Sequence, residues 1–257
     1  MNLGISGKLA LVTASSGGMG RNIADALAAE GADLVLFARS TDKLSDAATE
    51  IERKHGVRVV PVAGSLTEPR DVARLARTLK DHGGLDIAVL VTGRPPNPLR
   101  ATLDETERVR WDEAYQTQLW SVIQVANELS PFMRTRGWGR IIAITSASAK
   151  QPMAKHALST VFRAGVTAYM KGLATELAPH GVTVNCVAPA LIDTSHREGT
   201  AAYSQEQTES RRLLTPLRRM GTQQELAGTV AFLASEQAGF ITGSTITVDG
   251  GMITSLF

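Results

Sequence analysis

The feature that most constrains this chain is the alternation of short, nearly continuous Val/Ile/Leu runs with longer amphipathic stretches. The runs are Leu9–Thr13, Leu34–Ala38, Val57–Val62, Ile87–Val91, Ile141–Thr145, Val182–Val187 and Thr245–Val248. Between them, apolar residues recur at helical spacing over about 19–30, 42–54, 69–82, 105–135, 157–178 and 223–235. Strands that are apolar on both faces and separated by helices belong to a parallel sheet covered on both sides. The expectation is one α/β domain over 1–257: a doubly wound, Rossmann-type, seven-stranded parallel sheet. Pro61 interrupts the third run. It would remove a ladder hydrogen bond from a central strand but is tolerated on an edge, and the order 3-2-1-4-5-6 puts the third strand at an edge.

Composition excludes other classes. The net charge of +2 and the lack of long like-charge runs argue against nucleic acid as the main partner, leaving a small-molecule substrate. Cys186 is the single cysteine, so no intrachain disulfide can form and a reducing, cytoplasmic location is expected. The first residues do not read as a secretory signal, and no apolar run is long enough to span a membrane. His, Cys and carboxylates show no metal-ligand spacing, so no metal is expected.

The first run leads into Thr13-Ala14-Ser15-Ser16-Gly17-Gly18-Met19-Gly20, and a helix opens at once. Small residues at such a junction let main-chain amides approach a pyrophosphate at a helix N-terminus. A lone glycine cluster is a weak signal, and its position between the first strand and first helix strengthens it. The second strand ends in Phe37-Ala38-Arg39-Ser40 without a carboxylate, and Asp33 lies at its opposite end. An acidic residue at that tip would hold the ribose 2′-hydroxyl of NAD, whereas an arginine suits the 2′-phosphate of NADP. Arg39 therefore points to NADP (NADPH) over NAD.

These motifs, with those that follow, resemble the short-chain dehydrogenase/reductase family in its 3-oxoacyl-ACP-reductase-like form, from about Lys8 to Met252. Thr13 to Gly20 matches the family's Thr-Gly-x-x-x-Gly-x-Gly, with Ala14 for its first glycine. Trp138-Gly139-Arg140-Ile141-Ile142 and Thr145-Ser146 look like the fifth strand and the catalytic serine. Asn185-Cys186-Val187-Ala188-Pro189-Ala190 is similar to the segment ending in Pro-Gly, and Ile241-Thr242-Gly243 with Val248-Asp249-Gly250-Gly251 to the C-terminal signature.

The resemblance implies a coenzyme site formed by Thr13, Ser15, Ser16, Gly18, Met19, Gly20, Arg39, Ser65, Leu66, Thr92, Gly93, Arg163, Pro189, Ile192 and Thr194. Ser65 takes an acidic residue's place there, leaving Leu66 to contribute its backbone. Thr92-Gly93 stands for the end of Asn-Asn-Ala-Gly, and Gln118 for a helix asparagine of the proton relay. The family's active pair is Tyr-x-x-x-Lys before Ala-Gly-Val. Arg163-Ala164-Gly165-Val166 sets the alignment, so Ser159 falls on the tyrosine and Arg163 on the lysine. Ser146 and Ser159 are 13 residues apart, as the family's serine and tyrosine are. The resemblance also implies a homotetramer or dimer, assembled through the fourth and fifth helices and the last strand, and a substrate lid at about 194–215. The apolar tail Met252–Phe257 is consistent with a buried or interfacial C-terminus.

A lysine-assisted phenol, with its ordinary pKa near 10 brought down, can exchange a proton near neutrality, and a serine hydroxyl is far less acidic. Arg163 stays protonated. The candidate catalytic set is thus Ser146, Ser159, Arg163, Gln118 and His156, the imidazole being suited to proton transfer. Lys150 and Lys155 flank the loop at His156, and Tyr203 falls in the lid segment at about 194–215. Tyr169 and Lys171 fall too far along the fifth helix, and Cys186 reads as a small apolar filler. Three functions fit: an NADP-dependent oxidoreductase with a non-standard proton donor, a lyase or isomerase on the same scaffold, or a non-catalytic coenzyme-binding protein. The first is preferred on fold-level analogy. Lid residues such as Glu198, Arg211 and Arg212 leave the substrate open.

Overall fold

The computed structural model describes residues 2–194 and 204–256. Seven strands pair in parallel: β1 (Leu9–Thr13), β2 (Asp33–Ala38), β3 (Val59–Ala63), β4 (Ile87–Leu90), β5 (Gly139–Ile144), β6 (Val182–Pro189) and β7 (Thr245–Val248). Their spatial order is β3-β2-β1-β4-β5-β6-β7. The chain winds outward from β1 to one edge, then returns to β4 and winds to the other. That reversal lies between β1 and β4, the switch point at whose carboxyl ends such sheets bind ligands. Pro61 lies opposite Leu36 on the edge strand β3, and it is exposed.

Helices cover both faces. Helices α1 (Gly18–Ala29), α2 (Thr41–His55) and α8 (Gln223–Ala234) bury Ile23, Leu27, Leu44, Ile51, Leu226 and Val230 on one side. Helices α3 (Pro69–Asp81), α5 (Ser121–Arg136) and α6 (Ala157–Leu177) bury Leu75, Leu79, Val125, Leu129, Val166 and Met170 on the other. Each such side chain contributes about 1.5–3 kcal/mol by leaving water, more than the few tenths that separate most helix propensities, so packing fixes these helices. No described helix is long and apolar enough to cross a membrane.

Two expected elements differ. The single helix over 105–135 is instead α4 (Arg108–Ala114), a π-helical turn at Tyr115–Trp120, and α5. Its start is delayed because Glu105 bonds the guanidinium of Arg110, at 2.5 and 3.0 Å, rather than opening the helix. Within 194–215, Gln205–Leu213 forms a further helix, α7, started by a capping box between Ser204 and Gln207. Glu198 and Tyr203 lie outside the described residues.

Candidate coenzyme and catalytic site

The turn after β1 is shaped by backbone constraints. A Cβ on Gly20 would meet the carbonyl oxygen of Ala14 at 2.5 Å, so only glycine lets α1 start this close to the strand. Ala14 itself is left-handed, with φ 49°. A Cβ on Gly17 would meet nothing within 4 Å, so the turn faces open space. No side chain caps the first turn of α1 and no acidic residue sits in it. Its amides and the positive end of the helix dipole are thus available to an anion. Ser15 has a buried hydroxyl without a partner among the described residues. Open amides and an orphaned hydroxyl fit a dinucleotide bisphosphate held by Ser15, Ser16, Gly18, Met19 and Gly20. Thr13 lies beneath them: its hydroxyl donates to the Val91 carbonyl at 2.7 Å and accepts from the Val91 amide at 2.8 Å, bracing β1 to the end of β4.

Arg39, at the tip of β2, is exposed and has no partner among the described residues. Asp33 is occupied at the far end of the strand by the amide and guanidinium of Arg58, each at 2.9 Å. Beyond β3, the Ser65 amide donates to Asp71 at 2.9 Å, and the Gln124 side chain donates to the Leu66 carbonyl. The Ser65 amide and the Leu66 carbonyl are thus engaged by the protein. Pro189 ends β6. Ile192 bridges to Gly221, and Thr194 is buried at the boundary of the described residues.

Three hydroxyls meet beyond β5. Ser146 starts a short 3-10 turn and accepts from Ser148 twice, from its amide at 3.2 Å and its hydroxyl at 2.9 Å. The Ser148 hydroxyl lies 3.4 Å from that of Ser159 on the first turn of α6. Ser148 was not singled out in the sequence, although a Ser-x-Ser spacing entering a tight turn was the available signal. One turn on, Arg163 donates to the Thr92 hydroxyl at 2.5 Å, the Ile144 carbonyl at 3.1 Å and the Gly93 carbonyl at 2.9 Å. Burial brings its pKa down to about 10, leaving the guanidinium charged at neutral pH. It ties α6 to β4 and β5 and meets Thr92 and Gly93 directly.

Gln118 sits in the π-helical turn, fully buried, and neither atom of its amide has a partner among the described residues. His156 donates from Nδ1 to the Ala154 carbonyl, 2.7 Å away, and lines a narrow crevice with Ser159, Pro95 and Pro96. The proline-rich loop over that crevice is held by Arg110, which donates to the carbonyls of Pro96, Asn97 and Pro98. A second link missed in the sequence joins the tail to the site: the Thr254 amide donates to Gln151 at 2.9 Å. Its neighbour Leu256 is exposed.

Other candidates are committed elsewhere. Tyr169 donates to Asn127 at 2.8 Å and Lys171 to the Gly243 carbonyl at 2.9 Å. Cys186 is buried, its thiol pushed up to about 12 by desolvation, as suits a filler.

Comparison with known proteins gives a consistent picture. A family model described as Enoyl-(Acyl carrier protein) reductase matches residues 13–253. The human Dehydrogenase/reductase SDR family member 4 is 34% identical, over 96% of this chain and 88% of its own. The 3-oxoacyl-(acyl-carrier-protein) reductase FabG of Salmonella typhimurium is 34% identical, over 97% of this chain and 99% of its own. Among solved structures, L-sorbose reductase from Gluconobacter frateurii, complexed with NADPH and L-sorbose, superposes with a TM-score of 0.92. It is 34% identical, and 100% of each chain is covered.

Proposed function

Because the chain belongs to the short-chain dehydrogenase/reductase family, we propose that it interconverts a carbonyl and an alcohol on a small molecule, using NADP(H). The observation that carries this reading is the placement of an open anion cradle at the start of α1, with Ser146 at the end of β5 on the same rim of the sheet. When bound, the nicotinamide supplies or takes the hydride. The protein holds the bisphosphate on the turn after β1, and Arg39 meets the 2′-phosphate. Arg163 positions the nicotinamide side through Thr92 and Gly93. In this reading Ser159 and Arg163 stand where relatives carry the Tyr-x-x-x-Lys pair, and Ser146 hydrogen-bonds the substrate oxygen. Among similar structures, the L-sorbose reductase complex with NADPH supports this choice of coenzyme.

The experiment is calorimetry with NADPH and NADH, followed by nicotinamide absorbance over a ketone panel that includes L-sorbose and a 3-oxoacyl thioester. Wild type binds NADPH more tightly than NADH. Arg39→Ala weakens NADPH about 10- to 100-fold and leaves NADH unchanged, as expected for one charge-assisted contact. Equal affinities before and after the substitution would remove NADP from the proposal, and no turnover on any ketone would remove the redox reaction. We also propose assembly as a homotetramer in the cytoplasm. The fully exposed Phe240 and the place of β7 at the end of the sheet support the assembly.

A further inference from the structure

A hydroxyl has one proton to give and two lone pairs to receive. Both lone pairs of Ser146 are filled from Ser148, by the amide and by the hydroxyl. The proton of Ser146 therefore has no role inside the cluster, and Ser146 is its one partly open member, Ser148 and Ser159 both being buried. Ser148 has spent its own proton on Ser146, so the 3.4 Å contact with Ser159 can be filled only by the Ser159 proton. The donors thus run one way, from Ser159 to Ser148 to Ser146 and outward. Hydrogen bonds aligned head to tail polarise one another, which strengthens the last donor in the row.

We infer that Ser148 is a positioning residue: it fixes Ser146 as a donor to the substrate oxygen and links it to Ser159 in a one-way proton path. The inference rests on the carbonyl–alcohol reading above. In the reducing direction, the Ser146 Oγ–H bond breaks as the new O–H bond forms on the substrate oxygen. The Ser148 proton moves to Ser146 and the Ser159 proton to Ser148. Water at the small exposed margin of Ser159 restores its proton, so one proton is consumed overall. The two electrons and the hydrogen on carbon belong to the coenzyme's hydride. The serine in the phenol's place thus acts at a distance, feeding Ser146 through Ser148.

The test uses the full-length protein with NADPH and the ketone turned over fastest in the panel. Ser148→Ala removes the link but keeps the backbone. It lowers kcat about 10- to 100-fold while KM changes less than about threefold, the pattern for a group acting in the transition state. NADPH affinity is unchanged, and Ser148→Thr, which restores a hydroxyl, recovers kcat to within about threefold. Neutron diffraction from deuterated crystals gives a readout independent of turnover: the Ser148 deuteron lies on the line to Ser146, and the Ser146 deuteron points away from Ser148. A Ser146 deuteron directed at Ser148, an unchanged kcat in Ser148→Ala, or a parallel loss of NADPH affinity overturns the inference. Wild type inactive on the whole panel overturns the carbonyl–alcohol reading instead, and the deuteron positions then decide the donor direction alone.

Discussion

Ala14 holds a left-handed backbone, φ 49°, at a position where a side chain has a steric cost. Leaving that strain with glycine gains about 1–2 kcal/mol, and the extra freedom of glycine in the unfolded chain costs about 0.4–1. Ala14→Gly is therefore expected to stabilise the protein by about 0.5–1 kcal/mol, read as a higher urea midpoint at constant slope. A lower midpoint would mean that the Ala14 methyl packs better than its conformation suggests. Single residues were unevenly legible in the sequence. The cradle serines and glycines and Arg39 could be named from their position between strand and helix. Ser148 left only the faint signal of its Ser-x-Ser spacing, which carries chemistry once a 3-10 turn folds one hydroxyl onto the other. The bonds from Asp71 to the Ser65 amide and from Gln124 to the Leu66 carbonyl left none, since they depend on how α3 and α5 approach the loop after β3.

Helix α8 shows how an element's terminus is set by charge. Thr222 and Glu225 form a reciprocal capping box, and Glu225 also meets Arg219 at 2.5 and 2.8 Å. Bonding to Arg219 first, and to the Thr222 amide next, holds the Glu225 carboxyl near about 2, against an ordinary 4.5. A lowered folded-state value means the contribution is complete above about pH 4.5 and is lost as pH falls through about 2. Glu225→Gln keeps a capping amide but loses the ionic bond. Its melting temperature is expected below wild type at neutral pH, with the gap closing between about 4.5 and 2; a gap independent of pH would count against the ionic account. Periodicity located all seven strands to within two residues at each end, since buried parallel strands are nearly uniform in apolar residues. It overran at 105–135, where a π-helical turn keeps enough apolar spacing to look continuous. It also left 205–213 as polar lid, because an exposed helix has few buried positions to betray it.

At the scale of the whole molecule, Pro61 agrees with the strand order expected of a doubly wound sheet: it is tolerated at an edge, and the same order places the switch point between β1 and β4. Assembly is less legible from sequence, since exposed apolar residues such as Phe240 acquire meaning only when the surface they share is known. The sole cysteine has a consequence for how the molecule can be watched. Cys186 is buried in β6, one strand from the β7 edge, with its thiol raised to about 12. It also lines a cavity with Thr167, Lys171 and Thr245, where its raised thiol reacts slowly, and an excursion that exposes the strand speeds alkylation, so labelling measures how often the native state breathes. If that excursion is global unfolding, saturating NADPH slows labelling by a factor of about one plus the ratio of its concentration to Kd. If only the outer strand detaches, coenzyme leaves the rate unchanged. A maleimide time course with and without NADPH thus separates a sheet that opens as one body from a sheet that frays at its rim.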